Sequence, residues 1–356
     1  MFLFKKKPKS YLGIDIGASA AKLVELEKKE NRYQLKNYAI FSFNRRLERD
    51  SSLADSESFK IPDNEEMAKI IKKTIKEAKI DSRETYLSVP VYFSFSTLID
   101  FPISMSEKEI AAAIPFSAKK YVPVPITEVV LDWSVVSSIN SREVQQVLLI
   151  AVPKEVINNY SQIVRLAGLN LKSIEEETFS LSRVLIGNDK SAILLIDGGA
   201  RSVNVSVVDD GYIRLTHNLE MGGMKITKAI SQQMNFDFEK AEELKKKISE
   251  TNGQLANERF LQLKAIINSS LGAIIVEIKK IVETYQNRYN RRIEKVILVG
   301  SGVHLFGFAD DLTNSLAIEV SLGDPFARIL YPPLLKPVLK EIGSSLSVAV
   351  GLAMRK

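Results

Sequence analysis

The sequence predicts an α/β protein of two related halves, with a small α+β insert in the first half. Three observations predict it. One strand–turn–strand pattern occurs twice, first as Tyr11-Leu12-Gly13-Ile14-Asp15-Ile16-Gly17-Ala18-Ser19-Ala20-Ala21-Lys22-Leu23-Val24-Glu25-Leu26. It returns as Ile193-Leu194-Leu195-Ile196-Asp197-Gly198-Gly199-Ala200-Arg201-Ser202-Val203-Asn204-Val205-Ser206. Each copy is an apolar run, then Asp-x-Gly-Ala, then a second alternating apolar run. Each copy also opens a block in which strands are followed by helical periodicity. Between the blocks, from Tyr86 to Asn170, the pattern is different.

The elements follow in order. Tyr11–Ile16, Lys22–Leu26 and Gln34–Phe43 read as strands, and the polar stretch Arg45–Asp63 as a loop. Glu65–Lys79 carries Met67, Ile70, Ile71, Ile75 and Ala78 at helical spacing. Thr85–Val89 is a strand, so the first block has half of a right-handed α/β unit. In the insert, Phe95–Phe101 is a strand. Ser106-Glu107-Lys108-Glu109 opens a helix with a capping box, and that helix ends near Tyr121, before Pro123 and Pro125. Val129–Val136 and Val144–Val152 are strands, and Lys154–Ala167 is a helix closed by Gly168. The second block has strands at Ala192–Asp197, Val203–Val208 and Tyr212–Leu219. Met221-Gly222-Gly223-Met224 precedes a helix at Lys225–Gln233. Helices follow at Phe238–Ser249 and Asn257–Tyr289, the second with an expected break near Gly272. Lys295–Gly300 is a strand, and Ser345–Met354 a closing helix. The expected domains are 1–85 with 171–190 and 336–356, the insert 86–170, a second core at 191–224 and 291–335, and a helical subdomain at 225–290.

Composition excludes several classes. The chain has 356 residues, 45% hydrophobic and 26% charged, which suits two or more packed domains rather than disorder. It has no cysteine, so disulfides and thiolate chemistry are excluded. Its two histidines, His217 and His304, make no histidine metal site and no Ser/His/Asp triad. No apolar run is long enough to span a bilayer. The start, Met1 to Lys9, lacks the order of a signal peptide, because its lysines follow its apolar residues. Those lysines suit either an anionic lipid surface or a solvated terminus. The net charge of +6 is dispersed among 43 acidic residues, with no arginine–aromatic interleaving, so nucleic acid is not expected as a partner.

The repeated motif has a chemistry. Glycine lets backbone N–H groups approach an anion closely, and an aspartate at a strand end can hold a metal ion through water. A single Asp-x-Gly turn is an ordinary hairpin. Two copies suit a clamp on a nucleotide's phosphates and its Mg²⁺.

The duplicated hairpin, the Gly-Gly helix start and the late Val299-Gly300-Ser301-Gly302 turn together resemble the actin-like ATPase superfamily. Actin, FtsA, MreB, sugar kinases and DnaK-type chaperones belong to it. Within that superfamily the chain resembles the PilM family of type IV pilus assembly proteins. The stretches that carry this resemblance are Ala20-Ala21-Lys22-Leu23-Val24-Glu25-Leu26, Ala118-Lys119-Lys120-Tyr121-Val122-Pro123-Val124-Pro125, Glu128-Val129-Val130-Leu131-Asp132-Trp133 and Leu148-Leu149-Ile150-Ala151-Val152-Pro153-Lys154-Glu155-Val156-Ile157. It extends over nearly the whole chain, from Lys9 to Met354.

The resemblance implies an actin-like ATPase fold, two halves around a nucleotide cleft, with ATP and Mg²⁺ as cofactors. Asp15 and Asp197 match the aspartates that organise the metal. Gly17, Ala18, Ser19, Gly198, Gly199, Ala200 and Arg201 would supply phosphate-binding N–H groups. Lys22 resembles a phosphate-facing lysine, and a solvated strand residue explains it equally well. Glu177 falls where relatives position the attacking water, while a solvated acidic turn accounts as well for Glu175, Glu176 and Glu177. Lys240-Ala241-Glu242-Glu243-Leu244-Lys245 matches the Ala-Glu-x-x-Lys motif of FtsA and MreB. Glu242 and Lys245 share a helix face there, toward the ribose and base. Gly222 and Gly223 would admit the nucleotide to a helix N-terminus. Gly300, Ser301 and Gly302 would line the adenine side.

Two departures stand out. Arg201-Ser202 replaces the small hydroxyl residues of close relatives, and His217 stands where an arginine is expected. The function implied is a cytoplasmic scaffold, peripheral at the inner membrane, with at most slow ATPase activity. Its implied partner is the cytoplasmic N-terminal peptide of PilN, a single-span membrane protein, and other pilus assembly ATPases are further candidate partners. The alternatives are an FtsA-like filament on a membrane and a small-molecule kinase. The end at Met354-Arg355-Lys356, without an amphipathic helix, argues against the filament. No recognisable acceptor base in the insert argues against the kinase.

Overall fold

In the computed structural model of the chain, the described residues are 9–30, 32–43, 62–136, 139, 143–251, 253 and 258–355. The basic N-terminal stretch before Lys9 and most of the polar loop expected at 45–63 lie outside them. In chain order the elements are β1 (Ser10–Ile16), β2 (Ala20–Lys29), β3 (Arg32–Ser42), α1 (Asn64–Glu77) and β4 (Glu84–Val89). Then come β5 (Phe95–Pro102), α2 (Glu107–Ala118), β6 (Val129–Val136), β7 (Val144–Pro153), α3 (Lys154–Leu166), β8 (Asn170–Glu176) and α4 (Glu177–Leu181). The second block has β9 (Ile193–Gly198), β10 (Val203–Asp209), β11 (Tyr212–Leu219), α5 (Gly223–Met234), α6 (Phe238–Glu250), α7 (Glu258–Tyr289) and β12 (Lys295–Val299). The chain ends with α8 (Phe308–Leu316), β13 (Val320–Leu322), β14 (Ile329–Leu330), α9 (Lys336–Ile342) and α10 (Ser347–Ala353).

The duplication seen in sequence is a duplication of topology. One sheet runs β14-β3-β2-β1-β4-β8 and another β11-β10-β9-β12-β13. In each, a three-stranded antiparallel meander is extended from its first strand by parallel strands. Parallel extension aligns strand C-termini along one sheet edge, where α/β folds place ligands. Asp15, Ser88 and Glu177 therefore share one edge of the first sheet, and Asp197 and Gly300 share one edge of the second.

The chain divides into two compact units. The first comprises 1–90, 155–187 and 324–356, and the second 91–154 and 188–323. In the first unit α10 lies on β1 with no room to spare, since a Cβ at Gly13 would run into the Ala349 carbonyl oxygen. A core of Val24, Leu26, Leu35, Val184, Phe326, Leu346 and Val350 joins β2, β3 and the C-terminal helices. Glu25 is 1% exposed within this unit, yet fully answered: Asn37 donates to it at 2.9 Å and the Ser82 backbone N–H at 2.8 Å. A buried carboxylate without such donors would cost several kcal/mol, about 3 or more.

The insert folds as an antiparallel sheet β5-β7-β6 backed by α2. Ile110, Ile114 and Ala118 on the helix pack on Ile99, Val147, Leu149 and Ala151. The expected capping box is present, with the Ser106 backbone N–H donating to Glu109 at 2.8 Å. The insert interrupts the first sheet in sequence but falls in the second compact unit from Val91 to Lys154. Helix α3, expected within the insert, falls from Glu155 in the first unit together with β8.

Three elements differ from expectation. Helix α7 runs unbroken for 32 residues through Gly272. A glycine costs a helix only about 1 kcal/mol, and Leu271, Ile274, Ile275 and Ile278 are all buried around it. Strand β8 carries few apolar residues, and its strand character comes from parallel pairing with β4. The closing helix expected at Ser345–Met354 is α10, entered through a tight 3₁₀ turn at Gly343–Leu346, and the short helix α9 before it is an element the sequence reading did not include.

Candidate functional site

Both hairpins are built to one plan. β1 and β2 place Asp15 opposite Lys22, and β9 and β10 place Asp197 opposite Asn204. Each aspartate is the next-to-last paired residue of its strand. The Gly17 N–H closes the first turn on Ala20 O at 3.0 Å, and the Gly199 N–H closes the second on Ser202 O at 2.9 Å. Those two amides hold the hairpins themselves. The amides of Ala18, Ser19, Ala200 and Arg201 have no hydrogen-bond partner among the described residues.

The second turn is further oriented by α5. Gly199 O, Ala200 O and Arg201 O accept from the backbone N–H groups of Gly223 (3.0 Å), Met224 (2.8 Å) and Gly222 (3.0 Å). There are no cis peptides among the described residues. In a trans peptide the N–H points opposite the preceding carbonyl. The N–H groups of Ala200 and Arg201 therefore point away from α5, side by side, as in an anion-binding nest. The same bonds involve Gly222 and Gly223, the residues expected to admit the nucleotide to this helix. The first amides of α5 are occupied by the turn's carbonyls. A Cβ at Gly222 would run into the Ala200 carbonyl oxygen and lie 2.5 Å from Ser202 N, which explains the glycine.

Asp15 is 2% exposed, and both its oxygens are engaged. Ser88 Oγ donates to Oδ1 at 3.0 Å, and Lys22 Nζ pairs with Oδ2 at 3.2 Å. Lys22 is thus a partly buried ion-pair partner. Ser88 carries no motif, and its only signal in sequence is one hydroxyl in the apolar run Tyr86-Leu87-Ser88-Val89. Asp197 lies against Gly300, whose φ of 88° suits glycine. A Cβ there would strike Asp197 Oδ1, and one at Gly302 would sit 2.9 Å from Gly198 O. These glycines admit the end of β9, and Ser301 is exposed between them.

The acidic run is not solvated. Glu176 and Glu177 are 6% and 7% exposed. Glu175 accepts from Arg183 and Arg355, both at 2.6 Å, and from Ser180 at 2.6 Å. Glu177 begins α4 just past the Val89–Glu176 pair, on the same sheet edge as Asp15.

Glu242 and Lys245 do share a face of α6, and they meet each other at 2.6 Å. Lys245 Nζ also donates to Thr227 Oγ1 at 2.7 Å and Gly223 O at 3.0 Å, tying α6 to the start of α5. Burial presses the Lys245 ammonium toward its neutral form, against the attraction of Glu242, and its pKa lies below the usual 10.5. Burial pushes Glu242 up, but Lys245 and Thr227 outweigh it and leave its carboxyl below 4.5. Both shifts have one sign: the unfolded chain binds these protons more tightly, so stability rises with pH through each window. Urea midpoints of the wild type should fall as pH drops below about 4.5, and Glu242→Gln should flatten part of that fall. An unchanged slope in the variant would contradict the assignment.

Lys245→Ala should lower stability by about 1–3 kcal/mol, because Glu242 loses its charge-assisted partner while half hidden from water. Lys246 is 3.6 Å from the other Glu242 oxygen, and its side chain is 58% exposed. Lys246→Ala should therefore change stability by less than about 0.5 kcal/mol. Equal urea midpoints for the two variants would refute this ordering.

The residues present fit a nucleotide's phosphates and its metal. Each hairpin offers two adjacent unbonded amides and one strand-end carboxylate. Among the described residues no three acidic or histidine side chains converge as a metal cage.

The family model for type IV pilus assembly protein PilM matches residues 13–356. The chain belongs to that family. It is also similar to the solved PilM-PilN type IV pilus biogenesis complex, with a TM-score of 0.80 and 26% identity over 97% of this chain and 98% of that one. The structure of MreB 5 of Spiroplasma citri bound to AMPPNP has the same fold, at a TM-score of 0.51 and 10% identity over 97% of this chain and 95% of that one. Cell division protein FtsA of Enterococcus faecalis is 33% identical over 95 residues, 26% of this chain and 22% of that protein. The chain spans less than half the length of the curated FtsA relatives it matches, 22% to 42%. The fold of this PilM-family chain is the actin-like ATPase fold, and the protein is an actin-like type IV pilus assembly protein. No helix among the described residues is long and apolar enough to cross a membrane.

Proposed function

We propose that this chain is an ATP-binding scaffold that receives the cytoplasmic N-terminal peptide of a PilN-like inner-membrane protein. The observation that carries the reading is the full-length likeness to the PilM-PilN complex, together with the two matched hairpins. In this reading the amides of Ala18, Ser19, Ala200 and Arg201 hold phosphate oxygens. Asp15 and Asp197 would each offer a carboxylate toward Mg²⁺, which would neutralise phosphate charge. Ser88 and Lys22 fix the Asp15 carboxylate, and Glu177 stands ready to orient water if hydrolysis occurs. Glu242 and Lys245 set the base side by fixing α6 on α5. The nucleotide stabilises the partner-competent shape, so turnover is not required. The protein would sit at the cytoplasmic face of the inner membrane through its partner.

The geometry supports binding more than chemistry. Glu177 is buried on the sheet edge that carries Asp15, and the proposal asks of it at most slow hydrolysis. The local FtsA match keeps a filament as the second reading.

Mass spectrometry of the purified protein, followed by calorimetric titration with Mg·ATP and then with the PilN N-terminal peptide, tests the proposal. We expect one nucleotide and one peptide per chain. A chain that binds Mg·ATP but not the peptide is not this scaffold.

A further inference from the structure

Arg201 has two faces, and they look at different parts of the second compact unit. Its backbone N–H belongs to the anion nest, oriented by the Ala200–Met224 bond. Its side chain leaves the turn and lays the guanidinium over the ring of Tyr92, 4.4 Å from the centroid. That is well inside the range of cation–π attraction, and Arg is the cation best shaped to stack. Tyr92 sits in the short 3₁₀ turn Val91–Phe93 that leads directly into β5, and its ring is 4.3 Å from that of Phe93. Both this turn and β5 pack against β11, the edge of the second sheet. Deeper along the same contact, buried Arg214 of β11 donates to Gln146 of β7 at 3.3 Å, and Gln146 in turn donates to Asp100 of β5 at 2.9 Å. The insert is thus gripped by the second sheet at two points. The Arg214 point is 2% exposed and shut away. The Arg201 point is exposed and is one residue of the phosphate turn itself.

We propose that Arg201 and Tyr92 link the phosphate turn to the insert, so that an anion held by the Ala200–Arg201 amides changes how firmly the insert's first strand is held. This rests on the reading of the hairpins as a nucleotide site and adds the route by which occupancy reaches the insert. The physical cause is local. A phosphate fixes the Ala200–Arg201 peptides, which fixes the Arg201 Cα, which restricts the long side chain that must stay flat on the ring. Such a side chain gives up much rotamer freedom when it stacks. A turn already ordered by phosphate leaves less of that entropy to lose, so the stack tightens. The link is made by this chain's own Arg201 and Tyr92.

Amide hydrogen exchange across β5, with and without Mg·AMPPNP, tests the link on the full chain. In the wild type the analogue should slow exchange at 92–99 by about 2- to 30-fold, the range one cation–π contact can transmit. Tyr92→Leu should still bind the analogue, weakened by no more than the same 2- to 30-fold because the coupling is reciprocal, and should lose this slowing, while Tyr92→Phe should keep it. Arg201→Lys, which keeps charge without the plane, should lose most of it. Slowing that persists in Tyr92→Leu overturns the link, as does a wild type that binds the analogue without slowing. A wild type that does not bind the analogue at all overturns the nucleotide reading and the link together.

Discussion

Asp197→Asn should weaken Mg·ATP binding by about 10- to 100-fold, the scale of a lost charge-assisted contact, while leaving the fold intact. The substitution keeps the side chain's shape beside Gly300 and removes only its charge. Asp197 is partly exposed at the end of β9, where asparagine keeps the side chain's shape. Asp15→Asn should weaken binding similarly but also lower stability, because Lys22 pairs with that carboxylate inside the first unit. The two residues thus separate by their second effect. Calorimetry with Mg·ATP and urea unfolding, run on both variants, distinguish them. Unchanged affinity in both would refute the clamp.

Gly300→Ala should lower stability by about 3–5 kcal/mol. Two independent effects add. The backbone has a φ of 88°, which strains any L-residue, and the new Cβ would strike Asp197 Oδ1 and lie 2.6 Å from Gly198 O. The carboxylate could yield, but the β9 backbone cannot without disturbing its pairing with β10 and β12. Gly272→Ala is the control: nothing lies within 4 Å of its Cβ, and alanine is the better helix former. It should leave stability unchanged or raise it by up to about 1 kcal/mol. Thermal unfolding of the two variants measures the contrast, and a Gly300→Ala protein as stable as Gly272→Ala would contradict the packing described.

What the sequence disclosed, and what it hid, follows from the range of the interactions. The hairpins were legible because a strand, a tight turn and a returning strand are set by adjacent residues. The capping box at Ser106 and Glu109 was legible for the same reason. Strand β8 was hidden because its pairing partner, β4, lies 86 residues earlier at the first register pair, Glu84 with Asn170. Ser88 and Tyr92 were hidden because a hydroxyl in a strand and a tyrosine in a turn carry no local pattern; each acquires its meaning only from Asp15 or Arg201 across the fold. The glycines at 222 and 300 stand out in sequence as room around a ligand. What they admit in the fold is backbone, from the 199–202 turn and the end of β9. Glu242 and Lys245 were placed on one helix face by spacing alone, whereas their third partner, Thr227, required the packing of α6 on α5.

Sedimentation velocity of the full chain with Mg·ATP, alone and with a fluorescent PilN N-terminal peptide, tests the scaffold reading most directly. A closed, saturable complex has a fixed size, whereas head-to-tail contacts of an actin-like protomer generate an open polymer. The account predicts a discrete species that carries one peptide per chain and does not grow with protein concentration. Large ATP-dependent polymers that form without the peptide and exclude it would contradict it.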